Sequence, residues 1–186
     1  GVILDKCRSR DIEIGLAATR VSRLLSALNN RWMNVNPQDI SSGLYGAGKL
    51  AAAGRLKGKF SVQDVDALLR RLSLIKNRSQ KNVDSQAIAN ALYGGGRLAE
   101  AGHLSGQISV DNVDALLRLL NSLGRRASSQ HISNALWGAG RLAEAVHLRG
   151  KFSVQNVDAL LERLRSAQRA NSQEIANALW GAGRLA

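Results

Sequence analysis

The chain has 186 residues, 45% of them hydrophobic, which is enough for one domain with its own core. A single proline argues against strands bounded by Pro/Gly turns, and the lone Cys7 excludes an intrachain disulfide and indicates a reducing compartment: bacterial cytoplasm, an organelle, or a host cell after secretion. The net charge of +12 is typical of proteins that bind nucleic acids or acidic surfaces. No apolar run approaches the roughly 20 residues of a membrane helix, so no membrane association is expected.

Two sequence blocks alternate along the chain. The first is Gln-x-Ile-(Ala/Ser)-Asn-Ala-Leu-(Trp/Tyr)-Gly-(Ala/Gly)-Gly-Arg-Leu-Ala, with copies centred on Tyr93, Trp137 and Trp180 and a looser copy on Tyr45. The second is Ser-Val-x-(Asp/Asn)-Val-Asp-Ala-Leu-Leu, which starts at Ser61, Ser109 and Ser153. Equivalent starts at positions 36, 84, 128 and 171 lie 48, 44 and 43 residues apart. This period predicts an array of stacked helical units, and such arrays bind extended partners more often than they catalyse reactions.

In chain order, residues 1–35 form a partial repeat that ends in a helix of the second block, because Val21 to Leu28 matches that block. Three repeats follow, at 36–83, 84–127 and 128–170, and 171–186 is a truncated first-block helix. We treat 1–186 as one helical-repeat domain. Neither end carries the polar outer face of a capping repeat, so we expect a fragment of a longer protein, and end-to-end self-association through the uncapped ends.

The first block predicts a helix, here called helix A. Its N-cap column holds good capping residues: Asn36, Asp84, Ser128 and Asn171. Pro37 fits the first helical position, and Glu174 completes a capping box with Asn171. Apolar residues then recur at spacings of three and four, at Ile88, Ala91, Leu92, Gly95, Leu98 and Ala99.

The second block predicts helix B, capped by Ser61, Ser109 or Ser153, with an apolar stripe at Val62, Val65, Leu68, Leu69 and Leu72. Its acidic residues are expected in the first turn, where they favour the helix dipole: Asp64, Asp66, Asp111 and Asp114. An insertion at Asn77 to Val83 falls in the link after the first full helix B. The fold predicted is an all-α, right-handed α-α solenoid of helical-hairpin repeats of 43–48 residues, with two layers and no sheet.

Glycines recur in every helix A as a Gly-x-Gly pair, including Gly94 with Gly96 and Gly138 with Gly140. Each glycine costs a helix on the order of 1 kcal/mol relative to alanine. Because the cost is repeated in all four copies, we expect helix A copies to pack closely against one another.

Opposite the apolar stripe, three columns fall at about 140–200° from Ile88 on a helical wheel. They carry an amide or hydroxyl, an aromatic ring and a cation, and we predict that they bind a ligand: Ser42, Tyr45, Lys49, Asn90, Tyr93, Arg97, Asn134, Trp137, Arg141, Asn177, Trp180 and Arg184. Such a face can hydrogen-bond to, stack on and neutralise an extended ligand, as RNA-reading helical repeats do. The alternative is structural: rings that pack between units, asparagines that satisfy backbone groups, and cations that are merely solvated.

The segment Ile175 to Ala186 resembles the core helix of octotricopeptide repeats, Asn-x-Leu-Trp-Ala-x-Ala-(Lys/Arg)-Leu, through Asn177, Leu179, Trp180, Arg184 and Leu185. It is also similar to the SKWP repeats of plant-pathogen type III effectors, which are likened to HEAT and armadillo repeats, although the Trp-Pro pair is absent. The period here is longer than in octotricopeptide repeats, and their Pro-rich repeat edge is missing. The first resemblance implies an RNA-binding α-solenoid, the second a secreted effector.

We therefore expect a non-enzymatic module that recognises an extended ligand, with RNA favoured and a protein-interaction scaffold of a type III effector, binding an acidic or host protein, as the alternative. Charge is uneven among the repeats: +3, +6, 0, +3 and 0 for the five segments in order. An RNA-tracking surface would be expected to carry its excess in every repeat.

No catalytic or metal set is recognisable, and no cofactor is expected. His103 and His147 occupy the same repeat column, and His131 stands alone at a helix start. Gly94 to Arg97 lies inside a helix with no preceding strand, so it is not a phosphate-binding loop.

Overall fold

The computed structural model describes residues 20–30 apart from residue 22, then 35–75, 83–145 and 150–185, and excludes the side chain of Phe60. Cys7, His147 and most of the insertion at 77–83 lie outside these residues. The described chain is all-helical apart from two short strands, as the repeat pattern predicts. Helix B copies are α1 (helical at 20–21 and 23–30), α3 (Val62–Leu74), α5 (Val110–Ser122) and α7 (Val154–Arg165). Helix A copies are α2 (Pro37–Ala52), α4 (Ser85–Glu100), α6 (Ser129–Ala145) and α8 (Ser172–Leu185).

The predicted helix A caps are confirmed. Asn36 Oδ1 accepts from the Asp39 N–H at 2.8 Å while the Asp39 carboxylate accepts from the Asn36 N–H, a second capping box beside the predicted one. In α8, Asn171 and Glu174 exchange the same two bonds at 2.9 and 3.1 Å. Side-chain caps also come from Asp84 at 2.6 Å and Ser128 at 3.2 Å. These bonds satisfy N–H groups that a helix start leaves without partners.

Helix B is capped differently from the prediction. Ser61, Ser109 and Ser153 stand at the N-cap, but their side chains make no capping bond. Instead, the carboxylate of Asp114 in α5 accepts from the backbone N–H of Ser153 at 3.1 Å and from the Asn156 amide. Asp66 does the same for the start of α5, through Ser109 at 3.1 Å and the Asn112 amide. The expectation that Asp66 and Asp114 lie in the first turn of their own helix and favour its dipole is therefore wrong. Each lies one turn further along, and its carboxylate caps the start of the next helix B.

The C-terminal ends of helix B are bonded across units as well. The Arg163 guanidinium of α7 donates to the carbonyls of Leu120, Asn121 and Gly124 at the end of α5. Arg71 of α3 reaches the Leu28 carbonyl of α1 at 3.0 Å. The helices α5 and α7 are thus joined at both ends by charged side chains, by Asp114 at the helix start and by Arg163 at the helix end. Arg71, which lies in the segment with the largest excess of positive charge, therefore has a structural role.

Helices of one type pack on the next copy of that type. Helix α4 packs between α2 and α6, and α6 packs between α4 and α8, while α5 packs between α3 and α7. The predicted apolar stripes of both helices are buried, with Ile88, Leu92 and Leu98 facing Val65, Leu68 and Leu72 across one continuous core. The prediction that helix A copies are adjacent is confirmed.

Glycine pairs form the A-to-A contacts, as predicted. A Cβ placed on Gly138 would lie 2.7 Å from the Tyr93 nitrogen and closer still to the Leu92 carbonyl. A Cβ on Gly140 would lie 2.7 Å from the Gly181 Cα. Real Cβ atoms do not approach backbone this closely, so only glycine permits the observed spacing. The contacts pair Gly48 with Gly94, Gly96 with Gly138 and Gly140 with Gly181.

The expectation of no sheet is wrong in one detail. Phe60–Ser61 pairs in parallel with Leu104–Ser105, two residues on each side. The links after helix A lie side by side in neighbouring units, so their exposed backbone groups bond to one another. The His103 Nδ1, 2.6 Å from the Gly58 carbonyl oxygen, joins the same two links.

Candidate binding strip on helix A

The helix-A strip is the surface formed by the three predicted columns, and all of its residues lie in the described chain. In contrast to the buried stripe opposite, each of them is partly or fully exposed: Ser42, Tyr45, Lys49, Asn90, Tyr93, Arg97, Asn134, Trp137, Arg141, Asn177, Trp180 and Arg184. The helical wheel therefore places them on the correct face. Ring contacts join the units one after another, so the strip is a single surface across α2, α4, α6 and α8.

The aromatic column is a ladder of rings in contact with one another. Ring centroids lie 5.9 Å apart for Tyr45 and Tyr93, 5.0 Å for Tyr93 and Trp137, and 6.4 Å for Trp137 and Trp180. The planes of neighbouring rings are tilted by 33–37°. These spacings lie in the range of favourable aromatic pairs. The structural alternative therefore holds in part, since each ring packs against the ring of the next unit, but all four aromatic residues also stay partly exposed.

The cation column lies over the rings. The Arg97 guanidinium is 5.9 Å from the Tyr93 centroid and 5.6 Å from that of Trp137. Arg141 is 5.3 Å from Trp137 and 4.1 Å from Trp180. Each of these two arginines thus bridges two rings at cation–π distance, which holds ring and cation in a fixed arrangement.

Two glutamates that sequence reasoning missed complete the strip. Glu100 binds Arg97 at 2.8 Å in its own helix and Arg141 in the next helix at 3.0 Å. Glu144 binds Arg141 at 3.0 Å and Arg184 at 3.2 Å. The signal was present in the sequence, because each glutamate follows an arginine by three residues, a spacing that brings side chains together on a helix. The structure adds the bond to the next unit, which no single-helix pattern shows.

The polar column differs from repeat to repeat. Asn177 Oδ1 accepts from the Gln173 amide at 2.8 Å, and Ser42 accepts from the Gln38 amide at 3.3 Å. For Asn90 and Asn134, which are half-buried, no hydrogen bond to another described residue is found. Their amides are therefore open to a ligand, each with donor and acceptor groups. Within the described chain, this column does not satisfy backbone groups of neighbouring turns.

The other polar candidates have structural roles. His131 Nδ1 lies 2.9 Å from the hydroxyl of Ser85, which also donates to the Arg126 carbonyl, so His131 joins the starts of α4 and α6. Partial burial lowers the pKa of His131, while the nearby Asp84 carboxylate acts in the opposite direction. Among the described residues, no group of three or more His, Cys, Asp or Glu could hold a metal ion. Gly94 to Arg97 lies inside α4, as expected.

Comparison of the chain with family models, curated proteins and solved structures finds no match. None of the helices in the described ranges is long and apolar enough to cross a membrane.

Proposed function

We propose that this chain is a non-enzymatic binding module, built as a right-handed α-α solenoid, which binds an extended polypeptide along the helix-A strip. We infer the class of ligand from the contact between successive rings. A base inserted between two rings would need roughly twice the 3.4 Å stacking distance, or about 6.8 Å. All three ring spacings are shorter, at 5.0–6.4 Å, and the planes are tilted, so neighbouring rings leave no slot for a base.

The spacing of the strip suits an extended polypeptide. Two residues of a strand advance about 6.4–6.8 Å, since each residue rises 3.2–3.4 Å. The centroids of successive rings lie 5.9, 5.0 and 6.4 Å apart, at or below this step, so each unit would contact about one pair of ligand residues. The open amides of Asn90 and Asn134 can then bond to peptide N–H and C=O groups, while the half-exposed rings contact side chains between them. Tyr, Trp and Arg are also the residues that dominate protein–protein binding energy.

The charge of the strip supports the same ligand class. Glu100 and Glu144 already pair with Arg97, Arg141 and Arg184, so the strip holds two carboxylates against four cations. Binding of a phosphate backbone depends on cations that are free to displace counterions. A ligand with scattered acidic side chains needs less net charge and can exchange partners with the two glutamates.

Single-stranded RNA is the second candidate, favoured by the net charge of +12. The open amides of Asn90 and Asn134 have the donors and acceptors needed to read base edges. In that case bases would lie across the outer edges of the rings, and phosphates would contact the arginines. The resemblance to octotricopeptide repeats fits this candidate, whereas the resemblance to SKWP repeats fits a scaffold that acts within a secreted effector.

One experiment separates the two ligands. Peptides selected from a random display library against the immobilised chain, and a single-stranded 20-mer RNA, are titrated by fluorescence anisotropy at several salt concentrations. We expect a selected peptide to bind, and the double variant Asn90→Ala/Asn134→Ala to bind it about tenfold more weakly, which corresponds to about 1.4 kcal/mol. The control is Asn121→Ala on helix B, which should leave the affinity unchanged.

Binding of RNA without binding of any peptide would contradict the polypeptide proposal. If no peptide is selected and the RNA binds with a steep salt dependence, the polypeptide proposal fails and RNA takes its place. The variant Arg97→Gln/Arg141→Gln should then lower the salt slope by about 1.4, since each phosphate contact with a single strand contributes about 0.7.

A further inference from the structure

One carboxylate of the repeating pattern is absent where the helix-A strip passes from α2 to α4. Glu100 and Glu144 occupy the same repeat position in the last turns of α4 and α6, and the residue at that position in α2 is the exposed Ala52. Each glutamate joins two cations, one in its own helix and one in the next. Among the described residues, no carboxylate joins α2 to α4 in this way.

The arginine nitrogens show which donor is left without a carboxylate. Arg141 binds Glu144 of its own helix through Nη1 and Glu100 of the preceding helix through Nη2. Arg184 also uses Nη2 for the preceding helix, at 3.2 Å from Glu144. Arg97 binds Glu100 through Nη1, and within the described ranges its Nη2 has no carboxylate partner. The Arg97 Nη2 is therefore the donor that a carboxylate on α2 would bind.

Lys49 is the second cation of this incomplete site. It occupies the repeat position of Arg97 and Arg141, and its Nζ lies 5.7 Å from the centroid of the Tyr45 ring. No acidic residue in the described part of the chain forms an ion pair with it. Lys49 is exposed and the Arg97 side chain is 30% exposed, so both cations are accessible to a ligand.

The charge around this site also favours an acidic ligand. Residues 49–59 carry four cations and no acidic residue, whereas the equivalent residues 97–107 carry one arginine and one glutamate. The three cations that follow α2 are exposed: Arg55, Lys57 and Lys59. Complementary charge of this kind fixes the register in which a partner binds.

We propose that an acidic side chain of the polypeptide ligand binds between Lys49 and Arg97, in the place that Glu100 and Glu144 take further along the strip. Its carboxylate accepts charge-assisted hydrogen bonds from Arg97 Nη2 and Lys49 Nζ, which are stronger than bonds between neutral groups. The ligand then has one register, with its acidic residue at α2 and its other residues along α4, α6 and α8. This inference rests on the polypeptide ligand proposed above, and it adds which residue that ligand carries and where that residue binds.

A carboxylate supplied by the chain itself tests the proposal. In Ala52→Glu the new side chain takes the position equivalent to Glu100, so it should pair with Lys49 and Arg97 and exclude the acidic residue of the ligand. Peptides are selected from a random display library against the unaltered chain, and their affinities for both chains are measured by fluorescence anisotropy. We expect the selected peptides to share an aspartate or glutamate and to bind the Ala52→Glu chain about tenfold more weakly.

Two control variants separate the charge at this site from other effects. Ala52→Gln introduces a side chain of nearly the same size without the charge, and should change the affinity by less than about twofold. Ser122→Glu adds a negative charge at an exposed position on α5, away from the strip, and should have an equally small effect. Circular dichroism verifies that each variant is folded.

Changing the peptide as well gives the deciding result. Replacing its shared acidic residue with the corresponding amide should weaken binding to the unaltered chain about tenfold, and should weaken binding to the Ala52→Glu chain little further. Selected peptides without a shared acidic residue, or peptides that bind both chains equally well, would overturn this inference and leave the polypeptide proposal standing. Selection of no peptide at all would overturn the polypeptide proposal itself, and this inference with it.

Discussion

Replacing Gly140 with alanine tests whether glycine sets the distance between A helices. The new Cβ would lie 2.7 Å from the Gly181 Cα. An ordinary contact between carbon atoms is about 3.5–4.0 Å, so α6 and α8 would have to separate by roughly 1 Å. The atoms on both sides belong to backbone, which cannot move aside as a flexible side chain can.

The expected magnitude follows from two opposing effects. Overpacking of a close contact costs about 1–3 kcal/mol, and alanine recovers up to about 1 kcal/mol of helix propensity. We therefore expect Gly140→Ala to lower the free energy of unfolding by about 1–2 kcal/mol. Gly140→Leu should cost about 3 kcal/mol or more, because the larger side chain has no space on that side.

Gly183→Ala is the matched control, since Gly183 occupies the same repeat position but faces open space. It should raise stability by up to about 1 kcal/mol, because only the propensity gain applies. Thermal and urea unfolding, at concentrations where the chain is monomeric, measure both; about 1 kcal/mol corresponds to roughly 2–4 °C in a chain of this size. If Gly140→Ala raises the melting temperature as Gly183→Ala does, the packing argument is refuted.

Three further predictions concern bonds between units. Asp114→Ala should cost about 1–2 kcal/mol by urea unfolding, because it removes the cap of the next helix B, while the same change at the equivalent Asp158 should stay within about 0.5 kcal/mol. Arg163→Met should cost about 1.5–3 kcal/mol, since three carbonyls lose a charged donor. Arg165→Met removes only an exposed ion pair and should have a much smaller effect, so equal losses of stability for the two variants would contradict the role of Arg163. Because the pKa of His131 is lower in the folded chain, the unfolded chain binds a proton at a higher pH than the folded chain does. The contribution of the neutral imidazole to stability is therefore complete above the ordinary pKa of 6.5 and is lost as the pH falls through the folded value. Stability should therefore decrease as the pH falls through and below 6.5, and His131→Gln should reduce that decrease; an unchanged slope would show that another group is responsible.

Features that lie within one helix were predictable from the sequence. Asn171 with Glu174 is a capping box whose two members are three residues apart, so its geometry is set by the helix itself. The apolar stripe and the strip opposite follow in the same way from the 3.6-residue period, which explains why Leu92 is buried and Arg97 is not. The glycine pairs were predictable because their propensity cost is repeated in every unit without local benefit.

Bonds between units could not be predicted from the residue pattern of a single helix. Asp66 and Asp111 are both acidic residues near the start of a helix B. Asp66, however, lies one turn further along its helix than Asp111 does, and its carboxylate therefore binds the start of the next helix B. The partners of Glu100 are similar: the bond to Arg97 follows from spacing in α4, but the bond to Arg141 depends on where α6 lies. A single-helix pattern gives angles around one axis and contains no distance between axes. The strand pair Phe60–Ser61 with Leu104–Ser105 was missed for the same reason.

That missing distance connects the glycines with the helix-A strip. The rings lie 5.0–6.4 Å apart because glycine backbones touch beneath them, and alanine at those positions would force the helices, and with them the rings, further apart. A separation increased by roughly 1 Å would bring the Trp137–Trp180 spacing past the roughly 6.8 Å that a stacked base requires. The glycine pair thus has two consequences, and Gly140→Ala should change both. It stabilises the A-to-A contact, and it keeps the ladder too narrow for a base between the rings while leaving it close to the two-residue step of an extended polypeptide.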